Sequence, residues 1–163
     1  MRGSQIIVSA PTSPRGVFME GFIGAGLTPK PGTIMQLQPA TALVGGRHTW
    51  ELAAPDADGG RPKGPLIILL EDHLQGRDYS TAYAAGERCF GYVPVAGEEF
   101  NLLVLNIAGT ADDHTKGEIL MVDNVTGKLV ATTGSPETEP FQLLETITDP
   151  TADTLSWVVY TGY

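Results

Sequence analysis

Two acid–histidine runs, Glu71-Asp72-His73 and Asp112-Asp113-His114, are the groups in this 163-residue chain best equipped for chemistry. Carboxylates beside imidazole can ligate zinc, and a His–Asp pair can exchange protons with a substrate. Their spacing works against both uses. Adjacent residues point to opposite faces of a strand and diverge in a turn, whereas ligands sharing one element want i,i+2 or i,i+4 separation. The runs make a four-ligand site only if the fold brings them together; otherwise they are acidic loop residues at strand ends. A second candidate is a glycosidase-like carboxylate pair, Glu87 with Glu98 or Glu99, in AGER (85–88) and AGEE (96–99). Each glutamate follows Ala-Gly and opens an apolar run, which gives it a structural place at a strand entrance. Cys89 lies in RCFGYV with no histidine or cationic cluster beside it, so it reads as a buried apolar residue rather than a nucleophile. GFIGAG (21–26) lacks the helix and the downstream acid of a dinucleotide site, and its glycines mark a bulge or bend. There is no G-x-S-x-G and no P-loop. The expectation is a non-enzyme without catalytic, cofactor-binding or metal-binding residues. The enzyme alternative is a metal site built on His73 and His114.

The elements that would position such groups are strands. Twenty glycines and twelve prolines punctuate the chain and suppress long helices, because Gly costs about 1 kcal/mol and Pro about 3 in a helix interior. Short strands bounded by turn residues are expected near 17–24, 33–38, 47–53, 65–71, 80–84, 88–93, 99–107, 118–123, 127–132, 140–147 and 154–161. One template occurs twice. In KPGTIMQL and TKGEILMV, Ile34, Met35 and Leu37 match Ile119, Leu120 and Val122, each run entered through a glycine, Gly32 or Gly117, suited to a tight turn. The fold class is all-β, with one or two small barrel-like lobes, an extended N-terminal arm and little helix. Residues 1–16 form the arm, 17–108 a β-rich lobe, and 109–163 a second lobe or a continuation of the same barrel, divided at the polar stretch GTADDHTKG (109–117). The β-branched and aromatic run to Tyr163 makes the last strand part of the architecture.

The arm carries Ile6, Ile7 and Val8 among prolines and small polar residues. Those three side chains need burial, either as a first strand of the same domain or by adding a strand to a partner's sheet. The net charge of −9, with Lys and Arg scattered, argues against nucleic acid, which requires a basic stripe. The longest apolar run, PLIILL (65–70), is far short of the roughly 20 residues that span a bilayer, so no membrane insertion is expected. A single cysteine excludes an intrachain disulfide.

The succession PGTIMQL, YAAGERCFGYVPVAGEEFNLLV (83–104), KGEILMVDNVTGKLV (116–130), PFQLLETIT (140–148) and a strand close to the C-terminus resembles the head decoration, or cement, proteins of tailed bacteriophages. The resemblance covers residues 30–163. It implies a structural virion protein, made in the host cytoplasm, that binds the outer face of an assembled capsid and reinforces it. The implied partner is the major capsid protein, touched by the arm through Ile6, Ile7 and Val8. The implied assembly is a homo-oligomer, favourably a trimer, without nucleic acid or membrane. An alternative binding function is a carbohydrate- or receptor-binding β-module that stacks ligands on Trp50 or Trp157.

Overall fold

The computed structural model describes residues 16–38, 46–54, 64–72, 78–104, 113–131, 140–148 and 154–162. These hold ten strands and no helix: β1 (Val17–Ile23), β2 (Ile34–Leu37), β3 (Thr49–Leu52), β4 (Ile67–Leu69), β5 (Arg88–Val93), β6 (Glu99–Val104), β7 (Ile119–Val122), β8 (Leu129–Ala131), β9 (Phe141–Leu143) and β10 (Thr154–Tyr160). They close into two five-stranded barrels, β1-β3-β2-β4-β5 and β10-β6-β8-β7-β9. The all-β expectation of small barrel-like lobes is met, and their number, left open between one and two, is two.

The two barrels share one topology and one register. Within each, the first and third strands pair in parallel and every other neighbour is antiparallel. Met35↔Leu52 in the first barrel answers to Leu120↔Ala131 in the second, Ile34↔Ile68 to Ile119↔Gln142, and Ile68↔Tyr92 to Gln142↔Val159. Met19↔Gly91 likewise answers to Phe100↔Val158, and Ile23↔Trp50 to Val104↔Leu129. The doubled sequence template is therefore the second strand of each barrel. Gly32 and Gly117 both sit at positive φ in turns closed by Thr33 N–H on Lys30 C=O (3.1 Å) and Glu118 N–H on Thr115 C=O (3.0 Å). That is the signature of a type II turn, whose third residue requires φ > 0. Both glycines then donate to the fourth strand, at Leu69 O and Leu143 O, each at 2.8 Å.

Equivalent interior positions show how two different sequences fill one shape. In the first barrel Trp50 occupies the interior, fully buried, and a Cβ on Gly21 or Gly91 would lie 2.4 Å from the indole Nε1 and 2.7 Å from its Cη2, respectively. In the second barrel the corresponding residues are Leu129, Leu102 and Val158, all buried. One large ring between two glycines is exchanged for three branched aliphatics, so one interior is filled from a single strand at these positions and the other from three. Gly21 thus marks a place cleared for an indole rather than the expected bulge; the β1–β5 ladder runs through it without interruption.

Two expectations are corrected. Residues 80–84 are not a strand: Asp78 accepts hydrogen bonds from Ser80 and Thr81, and Tyr83 plugs the first barrel with its hydroxyl donating to Leu70 O (2.8 Å). The change of barrel falls between β5 and β6, at 94–98, so β6 belongs to the second barrel rather than to a lobe ending at 108. The polar stretch at 109–117 lies between β6 and β7, two strands of one barrel, and is not the boundary between the barrels.

The barrels are packed on one another. The outer face of β2, β4 and β5, with Ile34, Ile68 and Tyr92 at its centre and Leu66 and Leu70 beside them, joins one apolar cluster with the second barrel's interior. This face closes the mouth of the second barrel where β6 begins: Tyr92 meets Phe100 with ring centroids 5.9 Å apart. The β7–β8 turn hooks across the seam, Gly127 C=O accepting from Ile34 N–H at 2.7 Å. Gly127 has φ +68° and no room for a side chain, since a Cβ would lie 2.6 Å from Thr33 Cγ2 and 2.8 Å from Ile34 O.

Candidate docking surface

Among the described residues singled out for chemistry, Glu87, Glu98, Glu99 and His114 are engaged at turns and strand entrances. Glu87 Oε2 accepts from Ala84 N–H (2.7 Å) and Glu98 Oε2 from Val95 N–H (2.8 Å), so each carboxylate closes the glycine turn it follows. Glu98 is 1 % exposed and its other oxygen accepts from the Tyr92 hydroxyl at 2.7 Å. Glu99 Oε2 accepts from the Trp157 indole N–H at 2.7 Å. The supposed pair is therefore two local caps and an indole acceptor. His114 pairs with Ile147 through two backbone hydrogen bonds of 2.9 Å and its Nδ1 lies 3.1 Å from Glu118 Oε2, one turn-residue set from β7. His73 and Asp112 lie outside the described residues, and among those described no group of three or more His, Cys, Asp and Glu could hold a metal.

Cys89 points into the first barrel, where burial, assisted by the carboxylates of Glu87 and Glu20, pushes its thiol up to about 12. A thiol so held is not a nucleophile near neutrality. Trp50 has no exposed face to stack a sugar, and Trp157 is half-buried with its N–H committed to Glu99. A recess of about 340 Å³ at the seam is lined by Leu27, Lys30 and Thr33 on one side and Val125, Thr126 and Lys128 on the other. Neither carboxylate nor imidazole lines it.

The expected capsid contacts Ile6, Ile7 and Val8 lie outside the described residues. Their chain emerges, however, at a point that is firmly held. Gly16 N–H donates to the Tyr92 hydroxyl (2.6 Å), which donates onward to Glu98, so the root of the arm is tied to the first barrel and to the linker leading into the second. Beside that root, Val17 and Phe18 are each 61 % exposed, with Phe18 resting on Tyr92 at a centroid distance of 5.0 Å. Val95 adds a further exposed apolar side chain in the linker. Val17 and Phe18 point to opposite sides of β1, so the root carries an exposed apolar side chain on each. The sequence signalled Gly16–Phe18 only as a strand start; its exposure depends on which strands overlap β1, and β3 reaches β1 only at Phe22 and Ile23. No helix among the described residues is long and apolar enough to cross a membrane. No family model matches the chain, and no curated protein matches it.

Proposed function

We propose that this chain is a structural decoration protein that binds the outer surface of an assembled phage capsid and stabilises the shell, with residues 5–16 contacting the major capsid protein through Ile6, Ile7 and Val8. The observation that carries the reading is the anchored arm root: Gly16, which follows the apolar N-terminal segment in sequence, is fixed by the Gly16–Tyr92–Glu98 hydrogen bonds. A tethered segment with three consecutive β-branched apolar residues suits addition to a partner's sheet. Among the described residues, Glu87, Glu98, Glu99 and His114 are engaged in turns and at strand entrances, in keeping with a surface-recognition role. Stabilisation follows from linkage: a protein that binds only the assembled lattice favours assembly in proportion to occupancy, and many copies multiply the effect. A net charge of −9 disfavours adhesion to DNA released nearby.

The test is cosedimentation with expanded, emptied capsids. Removing residues 1–15, which leaves Gly16 and both barrels, should abolish cosedimentation while the β circular-dichroism signal persists. Full binding by the truncated chain would sink the arm assignment.

A further inference from the structure

We infer that the mouth of the first barrel is a docking site for a second copy of this chain, and that the occupant is the outer face of β7, β9 and β10 of that copy. The internal repeat supplies the argument, because the molecule already contains this contact once. The second barrel's mouth, where β6 begins, is closed by the outer face of the first barrel's second, fourth and fifth strands. The first barrel has the same mouth, at the start of β1, and the second barrel has the same outer face.

The mouths differ in one respect. Residue by residue, the first barrel's mouth is apolar but less covered. Phe100 in the second barrel is fully buried and Val122 is 5 % exposed; their counterparts Met19 and Leu37 are only half-buried. Glu98 in the second mouth, fully buried, is replaced by Val17, which is largely exposed. Among the described residues, an exposed valine and two half-buried apolar side chains line this rim, where the sealed counterpart carries a buried glutamate, and such a rim is what a protein-covered mouth requires.

The outer face of the second barrel has kept the character of a plug. In the first barrel the plug is Ile34, Phe90, Tyr92 and Leu70, set around Ile68, and all lie against the shared core. Their counterparts are Ile119, Trp157, Val159 and Leu144, set around Gln142. Four of these five positions are apolar and each is half-buried rather than sealed. Among the described residues no barrel covers them. Mouth and face on one chain are complementary by descent of shape, so two copies join head to tail. Such a heterologous contact repeats, giving a ring where the rotation closes and a chain of molecules where it does not. The contact needs no capsid, so it stands or falls separately from the decoration reading.

The experiment uses the purified full-length chain and two variants, Val17→Asp at the mouth and Val159→Asp on the outer face. Sedimentation velocity at about 100 µM, a concentration that populates contacts of micromolar strength, should show an oligomer for the wild type. Each variant alone should be monomeric with an unchanged β spectrum. Mixed in equal amounts, the variants should form one-to-one heterodimers, because each supplies the half that the other lacks. A monomeric wild type, or variants that stay monomeric when mixed, would overturn the proposal. So would an oligomer indifferent to both substitutions. A wild-type monomer in which deletion of residues 1–15 newly creates oligomers would assign the mouth to the chain's own N-terminal segment, again overturning it.

Discussion

Replacing Gly91 by Val and Trp50 by Leu, singly and together, tests whether the first barrel is the second with its core volume redistributed. A Cβ at position 91 would stand 2.4 Å from Ile67 Cγ2 and 2.7 Å from Trp50 Cη2 and Cζ3, well inside contact distance. Overpacking on that scale costs about 3 kcal/mol, the upper part of the usual range. Trp50→Leu empties part of a site now fully buried, and large-to-small core changes of this kind cost about 2–4 kcal/mol. In the second barrel the corresponding pair is Leu129 with Val158, so the double variant installs a combination that this fold already packs. The valine methyls then occupy space vacated by the indole, and Ile67 regains room to rotate. The double variant should be more stable than the sum of the singles by about 2 kcal/mol, a coupling typical of touching core residues. Urea unfolding followed by far-ultraviolet circular dichroism gives all four corners of the cycle without relying on Trp50 fluorescence. Additivity within about 0.5 kcal/mol would show that the two sites do not share one volume, and would refute the reasoning.

Two further outcomes follow from the seam and the core. Gly127→Ala places a Cβ against Thr33 and the Ile34 carbonyl at a φ of +68°, so it should cost about 1–3 kcal/mol and loosen the barrels from each other. Differential scanning calorimetry should then resolve two transitions where the parent gives one, whereas a single unshifted transition would exclude a role for this hook. Cys89 should resist thiol reagents in the native protein at pH 8 and react at once in denaturant, because burial holds its thiol near 12. The linkage sign is that of an acid kept neutral by folding. The unfolded thiol ionises near 9 while the native one does not, so stability present below pH 9 is lost progressively as pH rises towards about 12. Cys89→Ala should remove that part of the alkaline slope in a pH series of unfolding midpoints; an identical slope would assign it to other groups.

The local rules were legible in the amino-acid sequence because they act over a few residues. Glycine and proline spacing excludes long helices, Lys-Pro-Gly and Lys-Gly-Glu specify turns with a positive φ at their third residue, and Ala-Gly-Glu places a carboxylate where it can close its own turn. The same reasoning leaves Glu87, Glu98, Glu99 and His114 without a shared site, since each finds its partner on its own turn or the neighbouring strand. Residues 80–84 misled because Tyr83 and its neighbours have strand composition, yet the tyrosine serves as a plug whose hydroxyl bonds Leu70 from outside any ladder.

Pairing across long sequence separations was decided only by tertiary structure. The duplicated template indicates two equivalent strands, but that β6 closes on β10 rather than on the preceding sheet depends on contacts more than fifty residues apart, such as Trp157 N–H with Glu99. The exchange of Trp50, Gly21 and Gly91 for Leu129, Leu102 and Val158 is likewise invisible in one dimension, because the three positions lie on three strands and meet only inside the folded barrel. Docking of the barrels settled which apolar residues are core and which are left at the surface. Ile34 and Ile119 occupy the same place in the same template, yet one is sealed by the second barrel and the other is only half-covered. Sequence sets what a strand can bury; the number of barrels stacked on its outer face sets what it does bury.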